Sequence, residues 1–390
     1  MTRTGTGQRR RATVPAALIA LGVLGLLGAQ LAPGAAAVIW DDRPVLNIAH
    51  AGGDLEAPHS TLFAMKSAVA AGADVLEMDL RLSADGQIVV QHDATVDRTT
   101  NATGEARTFT AAELAALDNG YWFVPGCWSC HDRPDAEYRY RGVRTGTVPP
   151  PAGFTADDFA IPALEQVVAA FPGRRLDVEI KDGPDGMATA EALASFVAAH
   201  GPADRWVVAS FDDDILAHFK ELAPDIATSP GLGGVTEWFG SRGPLPDHRV
   251  LQVPPVYSGI EVVTQQFVDD AHAAGIAVWV WFDGNDDDAP AEWERLIALG
   301  VDGLITGKPE QAEPYVAAAA TTTTTATSTT TSSAPTSSTT VAGAGTTGRS
   351  ELPATGRGGP GGLAVVSALT TAAGAALVRV ARRRRDPVRT

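Results

Sequence analysis

The chain has 390 residues, 45% of them hydrophobic, with 30 Lys and Arg against 46 Asp and Glu, and two cysteines. That length can bury one large core or two ordinary ones, the cysteine count excludes a disulfide framework, and a net charge of −16 excludes a nucleic-acid binder that neutralises phosphates with a basic surface. The charge is uneven: Arg3, Arg9, Arg10 and Arg11 lie near one end, Arg357, Arg379, Arg382–Arg385, Arg389 and Asp386 near the other, and the stretch between carries about −26.

Residues 1–37 read as a signal peptide. Arg9-Arg10-Arg11 precede an uncharged apolar stretch from Ala12 to Leu31, and Ala35-Ala36-Ala37 supply the small-residue cleavage site. The alternative is an uncleaved anchor. The arginine run is a weak match to a twin-arginine signal, so Sec and Tat export both stay open.

Residues 38–316 form the body. Short apolar runs at Val45–Ala49, Ala73–Leu80, Leu176–Ile180, Trp206–Ala209, Ile226–Thr228, Val250–Val253, Ala277–Phe282 and Gly303–Thr306 predict strands. Helical patterns lie between them at Ser60–Ala71, Met187–His200, Asp214–Ala223, Thr264–Ala274 and Ala291–Leu299. Eight strands alternating with helices imply a parallel sheet, and about 280 residues suit an α/β (β/α)8 TIM barrel. One hairpin interrupts it: Glu77–Leu82 turns through Ser83-Ala84-Asp85-Gly86 into Gln87–His92. The return arm brings His92 and Asp93 back toward the C-terminal end of the second barrel strand, where barrels keep their chemistry.

Residues 119–159 are an insertion rich in Trp, Tyr, Pro, Gly and Arg, expected either to cover the barrel mouth or simply to pack beside it. Cys127 and Cys130 lie within it, beside His131. An exported protein would pair them as a disulfide, while zinc needs four ligands and only three candidates are close. Residues 317–351 are mostly Thr, Ser, Ala and Gly and predict a disordered stalk. Residues 352–390 begin with Leu352-Pro353-Ala354-Thr355-Gly356, continue through an apolar run from Gly361 to Val378 and end on an arginine cluster. This order resembles the cell-wall sorting signal of Gram-positive bacteria, which implies sortase cleavage between Thr355 and Gly356 and linkage to peptidoglycan. A permanent tail anchor is the alternative.

Polar residues collect at the predicted strand ends. His50 follows the first strand, Glu77 and Asp79 close the second, and Glu179 and Lys181 close the third. Residues two apart share a strand face, so the members of each pair point together. Three carboxylates, two histidines and a lysine therefore meet on one rim, and carboxylate oxygens suit Ca²⁺ or Mg²⁺ better than zinc.

The set His50-Ala51-Gly52-Gly53, Glu77-Met78-Asp79, His92-Asp93, Asp97-Arg98-Thr99-Thr100 and Glu179-Ile180-Lys181 resembles the glycerophosphodiester phosphodiesterase family. The resemblance runs from Val45 to Pro309 and includes Val278–Trp281 and Gly300–Thr306. It implies a cation held by Glu77, Asp79 and Glu179, with His50 and His92 as general base and acid. A glycerol hydroxyl would attack phosphorus first and water would open the resulting cyclic phosphate. The chain departs from the family at Ala51, where the family has arginine, and at Pro58-His59-Ser60-Thr61, where it has Pro-Glu-Asn-Thr. Lys181, Arg81 or His59 would then contact the phosphate, and Trp281 would wall the glycerol. The expected function is metal-dependent hydrolysis of small glycerophosphodiesters on the cell surface. The alternatives are a related lipid or wall-polymer phosphodiesterase and a degenerate barrel acting as a binding module.

Overall fold

The computed structural model describes Trp40, residues 43–245 and residues 247–329, with side chains described to Thr321. The expected signal peptide, the sorting signal with its apolar run, and the stalk beyond residue 329 lie outside the described residues.

The first strand, β1 (Leu46–Ala49), is buried throughout, as a parallel strand covered on both faces must be. Helix α1 (Leu62–Ala71) starts where the Thr61 hydroxyl accepts from Ala64 N and stops at Gly72 in the left-handed region. Next come β2 (Val75–Leu82) and its hairpin partner β3 (Ile88–Val90), then α2 (Ala111–Ala116), α3 (Leu164–Ala170) and β4 (Arg175–Ile180). Helix α4 (Gly186–Ala199), β5 (Trp206–Ala209), α5 (Asp213–Leu222), β6 (Ala227–Thr228) and α6 (Leu232–Ser241) follow. The chain continues through β7 (Val250–Val253), a small hairpin of β8 (Val256–Tyr257) and β9 (Ile260–Glu261), then α7 (Gln265–Ala273) and β10 (Ala277–Trp281). It ends in α8 (Pro290–Leu299), β11 (Gly303–Thr306) and α9 (Pro309–Thr329).

Eight parallel strands run in the order β6-β5-β4-β2-β1-β11-β10-β7, with β3 antiparallel on β2. The two ends of that order meet where Arg249 N–H donates to Thr228 O at 3.0 Å. The result is the (β/α)8 barrel expected from the strand spacing. Its floor is apolar: Leu46, Ile48, Val75, Val207, Val250, Trp279 and Ile305 fill the interior, and Trp40 stacks on Trp279 with ring centroids 5.6 Å apart. Gly303 makes room for that layer, since a Cβ there would sit 2.8 Å from Ile48 and 2.9 Å from Trp279.

Four helices, α2, α3, α6 and α9, went unread in the sequence. The α6 stretch contains Gly233, Gly234 and Gly240, which weaken helix propensity. The Asp213 carboxylate of α5 accepts from Gly233 N and Gly234 N, and this contact through space fixes its first turn. The α2 and α3 helices are short, and periodicity over six or seven residues carries little signal. At the other end α9 continues through Ala317 to Thr329, so the disorder expected from residue 317 does not begin there. Ala317–Ala320 are strong helix formers extending a helix already anchored by Ala312 and Val316.

One ion pair ties this fold to pH. His272 Nε2 lies 2.8 Å from Asp302 Oδ2, which also accepts from Val278 N. The hydrogen bond to Asp302 raises the His272 pKa above 6.5 although burial opposes it. A raised native pKa means that the pair's contribution is fully present below about pH 6.5 and is lost as pH climbs through the native value. The stability gap between wild type and His272→Gln, read by thermal melts, is expected to close over that rise; a gap that is constant with pH refutes the pairing.

Candidate active site

The parallel register of β2 and β4 sets Glu77 beside Asp177 and Asp79 beside Glu179. Period-two alternation points all four into the barrel mouth, stacking two acidic rungs where like charges repel. Three responses relieve them. Lys181, just past the end of β4, puts its Nζ 2.8 Å from Glu179 Oε1 and 3.3 Å from Asp79 Oδ1. Burial, helped by the charges of Glu179 and Asp79, pushes the Asp177 carboxyl up to about 7, against a hydrogen bond from Gln252 Nε2. Burial and Asp79 likewise push Glu77 well above the usual carboxylate range, while its Oε2 accepts from Ala51 N at 2.7 Å. Asp79 goes the other way: burial would raise it, but Lys181 and the two histidines hold it low. Its Oδ2 is buried without a hydrogen-bond partner among the described residues.

His50 stands in a single turn that leaves β1. That turn places Ala51 at φ 45° and Gly52 at φ 82°, and a Cβ on Gly52 would meet Met65 N at 3.0 Å. Glycine is required there by both conformation and space. His50 Nδ1 lies 3.0 Å from Asp54 Oδ1. Burial would lower the His50 pKa, but Asp54, Glu77 and Asp79 push it up to about 10, so the ring carries a proton at neutral pH. His92 arrives on the return arm as expected, with Gln91 N donating to Asp79 O at 2.9 Å. Its Nδ1 lies 2.6 Å from Asp93 Oδ1, and Arg98 Nε donates to Asp93 Oδ2 at 2.6 Å. Burial would raise Asp93, but His92 and Arg98 keep it well below the usual carboxylate range. Each imidazole therefore has its Nδ1 fixed by a carboxylate.

The insertion is tied at its base by Asn119 N–H donating to Phe159 O. Most of it packs sideways: Tyr140, Val143, Phe154 and Phe159 join Phe63 of α1 in one cluster, and Arg141 sits over the rings of Tyr121, Trp122 and Tyr138. Only the loop closed by the Cys127–Cys130 disulfide reaches the mouth. It carries Trp128, whose ring centroid is 5.3 Å from that of His92 and 6.4 Å from that of His50, with Arg98 stacked at 3.8 Å. The insertion thus packs mostly against α1 and reaches the mouth through Trp128.

The candidate residues His50, Glu77, Asp79, His92, Glu179, Lys181 and Trp281 line one cavity of about 740 Å³ at the C-terminal ends of the strands. Two others do not. Arg81 is buried behind the wall, donating to His92 O and Asp182 O, so it clamps the return arm and does not face the cavity. His59 sits beneath Trp128 with its Nδ1 2.8 Å from Ser60 Oγ, and burial with four nearby cations holds it well below 6.5 and uncharged. Asp54, Asp177 and Phe211 were missed in the sequence. Asp177 was open to the same period-two argument as Glu179, whereas Phe211 sits on a loop with no periodic signal.

Among the described residues no group of three or more His, Cys, Asp or Glu side chains is arranged to hold a metal as it stands. Asp79 and Glu179 turn onto Lys181, and Glu77 turns onto Ala51 N. The donor set itself, three carboxylates on adjoining strands with the unpartnered Asp79 Oδ2, fits a hard oxygen-seeking cation.

The profile of the glycerophosphoryl diester phosphodiesterase family matches residues 50–311. A glycerophosphodiester phosphodiesterase of Caldanaerobacter subterraneus subsp. tengcongensis is 29% identical over 279 residues, covering 68% of this chain and 95% of that protein. One from Bacillus subtilis is 26% identical over 302 residues, covering 74% and 92%. Solved structures share the fold. An Oleispira antarctica phosphodiesterase in complex with the product sn-glycerol-3-phosphate matches with a TM-score of 0.53 at 23% identity, covering 72% of this chain and 99% of that one. A glycerophosphoryl diester phosphodiesterase domain from Mycobacterium tuberculosis gives 0.54 at 18%, covering 70% and 98%.

Proposed function

The chain belongs to the glycerophosphoryl diester phosphodiesterase family, and on that premise we propose that it hydrolyses glycerophosphodiesters to sn-glycerol 3-phosphate and an alcohol by histidine acid–base catalysis supported by a divalent cation. Membership makes it a phosphoric diester hydrolase. The observation that carries the finer reading is the rim itself, where two imidazoles anchored through Nδ1 face an acidic pair of rungs with two buried, unpartnered oxygens, Asp79 Oδ2 and Asp177 Oδ2.

Glu77, Asp79 and Glu179 would hold Ca²⁺ or Mg²⁺. When bound, the cation would supply positive charge that stabilises the phosphoryl oxygens. Cleavage needs one group to take the proton of the attacking hydroxyl and another to protonate the departing alcohol oxygen as its bond to phosphorus breaks. His50 and His92 would be these two groups, and what supports this is that each has Nδ1 tied to an aspartate and lines the cavity. Lys181 adds a fixed positive charge among the carboxylates. Trp128 packs over the two rings.

Export and attachment to the cell wall through Thr355 belong to the same proposal and rest on the order of motifs at the chain ends. The test of the chemistry is the full chain incubated with glycerophosphocholine in Ca²⁺, in Mg²⁺ or in excess chelator. Glycerol phosphate should be released in one or both cations, and chelator should lower the rate at least tenfold, reversibly. Turnover indifferent to chelation refutes the cation. No release from any diester together with retained ligand binding would make the barrel a binding module.

A further inference from the structure

Beneath Trp128 lies a second cavity, of about 20 Å³, whose walls include His59, Arg98, Thr99 and Asn119 together with the rings of Phe123 and Trp128. Its four polar walls share one property. His59 Nε2, Arg98 Nη2, Thr99 Oγ1 and Asn119 Oδ1 are all buried and reach no hydrogen-bond partner among the described residues. His59 is 6% exposed, Thr99 8% and Asn119 2%. A buried polar atom without a partner is destabilising, and native folds hold few of them. Four around one small cavity point to a ligand that they share.

Volume and donor count decide which ligand. One water needs roughly 10–15 Å³, so the cavity holds a single water and nothing organic. Arg98 Nη2 can only donate, and Asn119 Oδ1 can only accept, since the amide is oriented by its Nδ2 donating to His59 O at 2.9 Å. The Thr99 hydroxyl and the uncharged His59 ring can do either. Water, with two protons to give and two lone pairs, satisfies all four. An anion has no proton for Asn119 Oδ1 and would also meet the Asp54 carboxylate in the same wall.

We propose that these four groups bind one structural water, and that this water fixes the Arg98 guanidinium for catalysis. Arg98 Nε donates to Asp93 Oδ2 at 2.6 Å, whereas Nη1 reaches Trp128 O only at 3.4 Å, a long contact. The water closes the remaining corner at Nη2 and ties it to the base of the insertion through Asn119. With its plane fixed, the guanidinium keeps Nε on Asp93, and Asp93 orients His92 through Nδ1. His59, Thr99 and Asn119 are therefore positioning residues, which act on His92 through the water, Arg98 and Asp93 and touch no substrate. The effect on turnover rests on the phosphodiesterase reading; the water site itself does not.

Thr99→Val tests both parts, because it keeps the side chain's shape and removes a hydroxyl that bonds to no protein group. In a dry cavity the change would be neutral. With the water in place, kcat of the full chain for glycerophosphocholine should fall about tenfold while KM stays within about twofold, and Thr99→Ser should restore turnover. High-resolution diffraction from crystals of the full chain is the independent readout. Wild type should show one solvent peak bonded to Arg98 Nη2 and Asn119 Oδ1, and Thr99→Val should lose the peak and let Arg98 move off Asp93. A dry cavity in wild type, a bromide peak there after a halide soak, or wild-type kcat in Thr99→Val overturns the proposal. A water in wild type and a displaced Arg98 in the variant, with no diester cleaved by either, support the water site and refute the phosphodiesterase reading instead.

Discussion

His92→Ala is expected to lower kcat/KM for glycerophosphocholine by about 10²–10⁴-fold, the range that a positioned acid–base group contributes. The size follows from how much structure converges on this ring. The β2–β3 hairpin delivers it, the Arg81 guanidinium holds its carbonyl at 3.0 Å, and Asp93 fixes its Nδ1 at 2.6 Å while being held by Arg98. Removing the imidazole leaves that scaffold in place, because the clamps grip its backbone and each other. The loss should therefore fall on kcat, with circular dichroism unchanged. Added imidazole should restore part of it, since the truncated ring leaves room beside Trp128. Arg98→Ala separates positioning from chemistry: it frees Asp93 and unstacks Trp128, so its smaller loss should come with a shifted pH profile. Wild-type turnover in His92→Ala would sink the assigned mechanism.

Asp79→Asn is expected to abolish the response to Ca²⁺ or Mg²⁺ and to reduce kcat by about 10²–10³-fold, the scale of losing one preorganised charge-stabilising group. It should also cost stability. In chelator burial disfavours the Asp79 carboxylate, but Lys181 and the two histidines hold it in its ionised form, a net favourable setting despite Glu77 and Glu179. The amide gives up the charge pairing with Lys181, which keeps its 2.8 Å contact with Glu179. The variant should therefore melt below wild type in chelator at neutral pH and should lose the stabilisation that cation gives wild type through binding only the folded state. A variant that remains active, and whose melting temperature still rises with cation, would remove Asp79 from the cation site. Together the two substitutions distinguish proton transfer from charge stabilisation, since only the second should change cation dependence.

The barrel was legible because its strands are short apolar runs buried on both faces, and such runs stand out against amphipathic helices. Seven of the eight strands overlap their expected ranges almost end to end, and β2 differs in where it begins and stops. Asp74 was expected inside it, but its carboxylate accepts from Asn47 N and Arg43, which ties it to the turn before the strand. At the far end β2 runs on to Leu82 as the hairpin arm. That extension explains Arg81. Alternation puts it on the face of Glu77 and Asp79, yet it stands above the barrel rim, where the return arm and the Asp182 carbonyl capture it before it can reach the cavity.

By itself the sequence determined the strand order's raw material, the two carboxylate-bearing strands, the hairpin and the pair of histidines, because each is a local pattern of period or turn chemistry. Only the tertiary structure decided which of these groups share a charge environment. Asp177 is pushed up to about 7, Lys181 is drawn onto two carboxylates and His50 is pushed up to about 10. Those outcomes depend on the register between β2 and β4 and on depth of burial. Electrostatic interaction grows as separation and dielectric fall, and neither quantity is encoded by spacing along the chain. The far wall of the cavity is of the same kind, since Leu232 and Phe239 of α6, Tyr257 and Ile260 of the β8–β9 hairpin and Trp281 of β10 meet there only because the barrel closes.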